Sequence, residues 1–118
     1  MMWGTRNFRE ERKRWVDFVR FEVWAVLKAI ANGAGREGVR SVVKRTRLSP
    51  LTVEKVLNRL VRYRIIEEER EGRWPRRRSF RLTGRGEWLL ACFDSIGELV
   101  KQIREEEEGR AGAQHPLD

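Results

Sequence analysis

The stretch from Leu48 to Ile66, LSPLTVEKVLNRLVRYRII, constrains this chain more than any other. Ser49 is suited to cap a helix, and Pro50 to its first position, where a backbone N–H lacks a partner in any case. Val53, Val56, Leu57, Leu60 and Val61 follow at spacings that gather apolar side chains on one helical face. Thr52, Glu54, Lys55, Asn58, Arg59 and Arg62 fall on the other. The segment from Arg36 to Thr46 repeats the pattern, with Val39, Val42 and Val43 opposite Arg36, Arg40, Lys44 and Arg45. Only Arg47 and Leu48 separate the two segments, so the helices must cross at a steep angle.

Beyond the second helix the period changes. Ile65 to Arg70 and Arg78 to Thr83 read as two strands of a hairpin, since Phe80 and Leu82 alternate with Ser79, Arg81 and Thr83. Glu71 to Arg77 supply the turn and tip, with Pro75 interrupting the ladder. Thr83 reads as the N-cap of a last helix, with Gly84 and Gly86 permitting close approach to the rest of the domain. Leu89, Cys92, Ile96, Leu99 and Ile103 take the a and d positions of a heptad, flanked by Phe93 and Val100. A helix reaching Arg104 is roughly 30 Å long at ~1.5 Å per residue, more than one small domain can cover, so part of it is expected to meet another subunit. Glu105 to Glu108 continue this helix as a solvated acidic run, and residues 109–118 have the composition of a disordered tail.

At the other end, residues 1–7 read as a loose lead-in. Phe8 to Ala31 reads as one helix whose stripe of Val16, Val19, Val23, Val26, Leu27 and Ile30 is broadened by Trp15, Phe18 and Trp24. Trp15 and Phe18 exceed what a small core needs. They either join a subunit interface or pack on the chain's own C-terminal helix, and the two are compatible. Asn32-Gly33-Ala34-Gly35 stops the helix and forms a flexible connector.

A basic helix, a short turn, a Ser-Pro-x-Thr-Val helix, Ile65-Ile66, a charged hairpin and Phe80-Arg81-Leu82-Thr83-x-x-Gly86 together resemble the winged helix-turn-helix DNA-binding family, over roughly Phe21 to Leu90. The resemblance implies a mainly α fold with a small β-hairpin wing and long N- and C-terminal helices. It implies one domain at 8–104, with the wing at 65–83 and a C-terminal dimerisation helix at 84–108. Arg64 departs from the pattern, standing where the family usually places Gly to end the recognition helix in a left-handed turn. By position in the motif, Ser49, Pro50, Leu51, Thr52, Glu54, Lys55 and Asn58 are the residues expected to face base edges. Asn58 is suited to adenine, Glu54 to a cytosine amine, and Leu51 or Thr52 to a thymine methyl. Lys44, Arg45, Arg47, Arg59 and Arg62 are expected at phosphates. Arg73, Trp74, Arg76, Arg77 and Arg78 form the wing, its arginines following phosphates or entering a narrow minor groove. Trp74 either stacks on a sugar or folds back on the hairpin. Trp15, Phe18, Leu89, Cys92, Ile96, Leu99 and Ile103 are expected to form a homodimer interface.

Charge distribution agrees with a polyanion partner. The 118 residues hold 26 Lys and Arg against 18 Asp and Glu. Residues 36–64 carry a net +7 and 70–85 a net +6, whereas 86–118 carry −5. The many Arg and Glu residues resemble a thermophile's composition. The single cysteine, Cys92, has no partner for an intramolecular disulfide and reads as a small buried hydrophobe. No signal peptide is recognisable and no apolar run spans a bilayer, so the reading is a cytoplasmic, nucleoid-associated protein.

Nothing in the pattern points to an enzyme. His115, the only histidine, sits beside Pro116, no Cys/His cluster has ligand spacing, and Glu105 to Glu108 fall on successive helical faces. No cofactor and no metal is expected. The reading is a homodimeric regulator of transcription that binds double-stranded DNA, with its target and any effector ligand open. Two alternatives remain: an architectural chromatin protein with little sequence preference, and a winged-helix module that docks an acidic protein partner.

Overall fold

Val53, Val56, Leu57 and Leu60 form one face of a helix, and burying that face organises the domain. The computed structural model describes residues 5–72 and 77–114. Its elements are α1 (Thr5–Val16), α2 (Phe21–Ala31), α3 (Ala34–Glu37), α4 (Val39–Thr46), α5 (Pro50–Arg62), β1 (Ile66–Glu71), β2 (Arg77–Leu82) and α6 (Gly84–Gln114). The α5 face packs with Val23, Val26, Leu27 and Ile30 of α2, Val42 of α4, Ile65, Ile66, Phe80 and Leu90 in one core. The strands pair antiparallel, with Ile66 opposite Leu82 and Glu68 opposite Phe80. Each strand begins within one residue of its expected start.

Several expectations change. The single helix over Phe8 to Ala31 is broken. Helix α1 starts at Thr5, inside the presumed lead-in, and ends at Val16; the N–H groups of Phe18 and Val19 both donate to the Trp15 carbonyl, at 2.9 and 2.7 Å. Arg20 is extended, and α2 starts at Phe21. Tertiary contacts explain the break: it brings Phe18 edge-on to the Tyr63 ring, centroids 4.9 Å apart, and Asp17 within 3.7 Å of Arg59. The helix expected over Arg36 to Thr46 is divided at Gly38, whose φ of 105° belongs to glycine. Cys92 is exposed, contrary to the reading of a buried hydrophobe, because it falls with Ala91 on the outward face of α6, while Leu90 and Phe93 take the inward one.

The C-terminal helix is also longer than expected. Residues 109–114, read as the start of a disordered tail, continue α6. Ion pairs Arg104–Glu108 and Glu107–Arg110 bridge successive turns there, and pairs of this kind support a helix by roughly 0.2–0.5 kcal/mol each. From Ser95 to Gly112 every residue of α6 is exposed, and the molecule extends 68 Å along its long axis.

Two glycines carry close backbone approaches. Gly35, expected in a flexible connector, is buried, and a Cβ there would overlap the Phe80 carbonyl oxygen; one at Gly86 would overlap that of Ile65. Gly84 faces open space, so Gly86 alone makes the approach anticipated for the pair. Gly35→Ala and Gly86→Ala should each lower stability by about 1–3 kcal/mol, because the obstacle is a backbone carbonyl and cannot swing aside. Gly109→Ala, on an open face of α6, should be neutral or stabilising by up to about 1 kcal/mol. Thermal unfolding of the three variants checks the contrast.

Candidate nucleic-acid interface

The turn between α4 and α5 sets the presentation of the whole site. Arg47 takes the left-handed conformation at φ 59°. The Thr46 hydroxyl donates to the Val42 carbonyl at 2.8 Å and accepts from the Leu48 N–H at 3.3 Å. Ser49 Oγ then accepts from the Thr52 N–H at 3.1 Å and donates to Thr52 Oγ1 at 2.8 Å, closing the first turn with Pro50 at its start. At the far end, α5 stops at Arg62, and Arg64 itself adopts φ 59° where the family places Gly. The Arg64 and Ile65 carbonyls accept from the Thr83 hydroxyl at 2.7 and 2.9 Å, which holds the strained corner closed.

With its apolar face buried, α5 turns Leu51, Lys55, Asn58 and Arg62 to solvent, beside the exposed Ser49 and Pro50. Thr52 is half-buried in the cap. Lys44, Arg45 and Arg47 are exposed around the turn, so the expected phosphate set lies next to the expected base readers. Arg59 is turned toward Asp17, while the Arg62 guanidinium lies 5.6 Å over the Tyr63 ring. On the hairpin Arg77 is exposed; Arg73, Trp74 and Arg76 lie outside the described residues, as does His115.

Two expected contacts meet each other instead of open solvent. Arg78 Nη1 donates to both oxygens of Glu54, at 3.0 and 2.9 Å, and Arg78 Nε and Nη2 donate to the two oxygens of Glu68, each at 3.1 Å. Glu68 was not anticipated, though strand alternation places it on the same side as the buried Ile66. Asp17, Phe18 and Tyr63 were likewise unanticipated as partners of α5, because they depend on the break between α1 and α2.

The surfaces assigned to a dimer fall into two kinds. Leu89 and Phe18 are half-buried and pack on the core, Phe18 with its ring edge-on to Tyr63. Ile96, Leu99 and Ile103 are each more than half exposed, as are Trp15 and Trp88, and Cys92 is exposed beside them. Trp24 Nε1 and Lys28 Nζ both donate to Asp94, each at 3.0 Å, and tie α6 to α2. Below that tie a groove of about 710 Å³ opens to solvent between Val19, Phe21, Trp24, Phe93 and Ile96. Among the described residues no group of three acidic, Cys or His side chains could hold a metal, and no helix is long and apolar enough to cross a membrane.

Neither a protein-family model nor a curated protein sequence matches this chain. Solved structures do match. BpsR of Bordetella bronchiseptica, whose DNA binding is regulated by 6-hydroxynicotinic acid, superimposes with a TM-score of 0.65 at 22% identity, over 81% of this chain and 79% of its own. This chain has the winged helix-turn-helix fold of MarR-type regulators. A MarR-family regulator from Enterococcus faecalis V583 matches with a TM-score of 0.68 at 11% identity, covering 92% of this chain and 96% of its own. MepR of Staphylococcus aureus, as an F27L mutant bound to an oligodeoxyribonucleotide, matches with a TM-score of 0.62 at 21% identity, over 95% and 91%. In winged-helix terms α4 and α5 are the helix-turn-helix, and β1 and β2 the wing.

The Glu68 carboxyl should register in acid stability. Burial pushes it up, but hydrogen bonds and charge from Arg78 and Arg70 outweigh this and hold it below the ordinary carboxylate value. A lowered folded-state value means that its stabilisation is present above the unfolded value and is lost as pH falls through the folded one. Glu68→Gln should therefore unfold at a lower temperature than the wild type at neutral pH. The gap should narrow as pH drops below the ordinary glutamate range, and melting curves over a pH series measure it.

Proposed function

We propose that this protein binds duplex DNA as a homodimer and regulates transcription. One observation carries the reading: the buried face of α5 leaves Leu51, Lys55, Asn58 and Arg62 turned outward together, with Lys44, Arg45 and Arg47 beside them. A helix so presented can enter a major groove while the flanking cations meet phosphates. The MepR match, bound to an oligodeoxyribonucleotide, supports this use of the fold. Arg77, exposed at the start of β2, extends the basic surface onto the wing.

The dimer half of the proposal rests on α6. Ile96, Leu99, Val100 and Ile103 are each about half exposed, so covering the remainder would stabilise by roughly 1 kcal/mol apiece. A second copy laid along α6 covers them, with Trp15 and the apolar groove at its edge. An architectural protein with little sequence preference is the second reading. It is favoured by the Glu54–Arg78 pair, which removes one polar side chain from the base-reading set.

Selection from a random duplex pool followed by sequencing tests the function directly: an enriched palindrome is expected, and recovery without enrichment favours the architectural reading. On the selected site, Asn58→Ala should cost on the order of 1–3 kcal/mol and leave random DNA nearly unchanged. Arg45→Ala with Arg47→Ala should weaken all duplexes alike and reduce the slope of log affinity against log salt by roughly 0.9 per contact. Ile96→Glu combined with Leu99→Glu should give folded monomers in sedimentation at micromolar concentration, against a dimer for the wild type.

A further inference from the structure

Of the hairpin arginines Arg70, Arg77, Arg78 and Arg81, only Arg78 is half-buried. It sits on β2, midway along the wing, and its guanidinium lies 5.2 Å over the Phe80 ring. Both of its edges are occupied. Nε and Nη2 meet Glu68 of β1 as a fork on a carboxylate, and Nη1 meets Glu54 of α5. One side chain therefore joins both strands of the wing to the recognition helix. Side-chain exposures of 24% for Arg78 and 14% for Glu68 shelter this contact from water more than the Arg81–Glu67 pair, whose members are 68% and 51% exposed.

A two-stranded hairpin is marginally stable alone, so its angle depends on what holds its side. Ile65 and Ile66 anchor the base of this one. Halfway out, Arg78 makes a side-chain hydrogen bond from the wing to Glu54 of α5. The chemistry of the cluster also disfavours a simple phosphate contact. To reach a phosphate, Arg78 would have to leave two carboxylates, of which Glu68 would keep Arg70, at 2.8 Å, while Glu54 would face the DNA without Arg78.

We propose that Arg78 is a positioning residue, one that locks the wing to α5 through Glu54 and Glu68 and thereby sets where the other wing arginines meet the DNA backbone. This rests on the DNA-binding reading above. Glu54 is then a structural partner of the wing and does not read cytosine, and base reading falls to Leu51, Thr52, Lys55 and Asn58. The lock also gives an acidic residue on the binding face a favourable role, opposite in sign to its bare charge.

That sign supplies the test. Removing a carboxylate from a DNA-binding face should by electrostatics alone tighten binding. Under the lock, Glu54→Ala should instead weaken binding to any duplex roughly ten-fold at low salt. Arg78→Ala should do the same and flatten the salt dependence by more than the roughly 0.9 expected of a single phosphate contact, because the wing contacts are lost together. Arg78→Lys, which keeps the charge but has no fork to bridge two carboxylates, should behave like Arg78→Ala. A second readout needs no DNA. Spin labels at Arg40→Cys on α4 and Glu69→Cys on β1, in a Cys92→Ser background, should give one narrow distance that broadens in all three variants. An unchanged distance overturns the proposal, as does tighter DNA binding by Glu54→Ala. So does a slope change of about 0.9 in Arg78→Ala with Arg78→Lys behaving as wild type, which would make Arg78 a phosphate contact. If the wild type binds no duplex, the DNA-binding reading fails, while a broadened distance still establishes the lock.

Discussion

Burial of one face of α5 against α2 is the constraint on which the other elements depend. Val53, Leu57 and Leu60 are fully buried, as are Val23, Val26 and Leu27 opposite them. At roughly 1.5–3 kcal/mol for each such side chain, this contact outweighs any surface ion pair in the molecule. It also fixes rotation. Once that face is inward, Lys55, Asn58 and Arg62 have no alternative to solvent, and the proposed binding surface follows from the core as its complement.

The hairpin and α6 are attached to this core by backbone proximity as much as by side chains. Gly35 lies under Phe80 of β2, and Gly86 under Ile65 at the start of the wing. The Thr83 hydroxyl bonds two carbonyls at the corner where Arg64 adopts its left-handed conformation. Those contacts hold the base of the wing. Its middle is held by Arg78, Glu54 and Glu68, so helix and wing form one surface through two mechanically distinct attachments.

Beyond Asp94 the balance reverses. Helix α6 carries Ile96, Leu99, Val100 and Ile103 into solvent, and α1 leaves Phe8 and Trp15 there. Apolar exposure of this extent along α6 is the signature of a surface that a partner covers. The proposed homodimer would cover it, and would also give a use to a helix much longer than its own domain requires.

Local chemistry was enough to determine the helix-turn-helix, the hairpin, the Ser49 and Thr83 caps and the outward set on α5, because each depends on periodicity or on a residue's own backbone preference. Gly86 was legible as a close approach for the same reason. The break after Val16 was not legible: its apolar spacing continues unbroken through Val19 to Val23, and only contacts of Asp17 and Phe18 with α5 disrupt it. Gly35 looked like slack chain until Phe80 was brought beside it. Glu54 and Arg78 looked like two independent DNA contacts because they are 24 residues apart, and no sequence pattern pairs charges over that distance. Cys92 took its exposure from the way α6 is rotated against the core, with Leu90 and Phe93 inward. Sequence alone determined which faces are apolar and which are basic; tertiary structure decided which charges neutralise each other, because that depends on where separate elements meet.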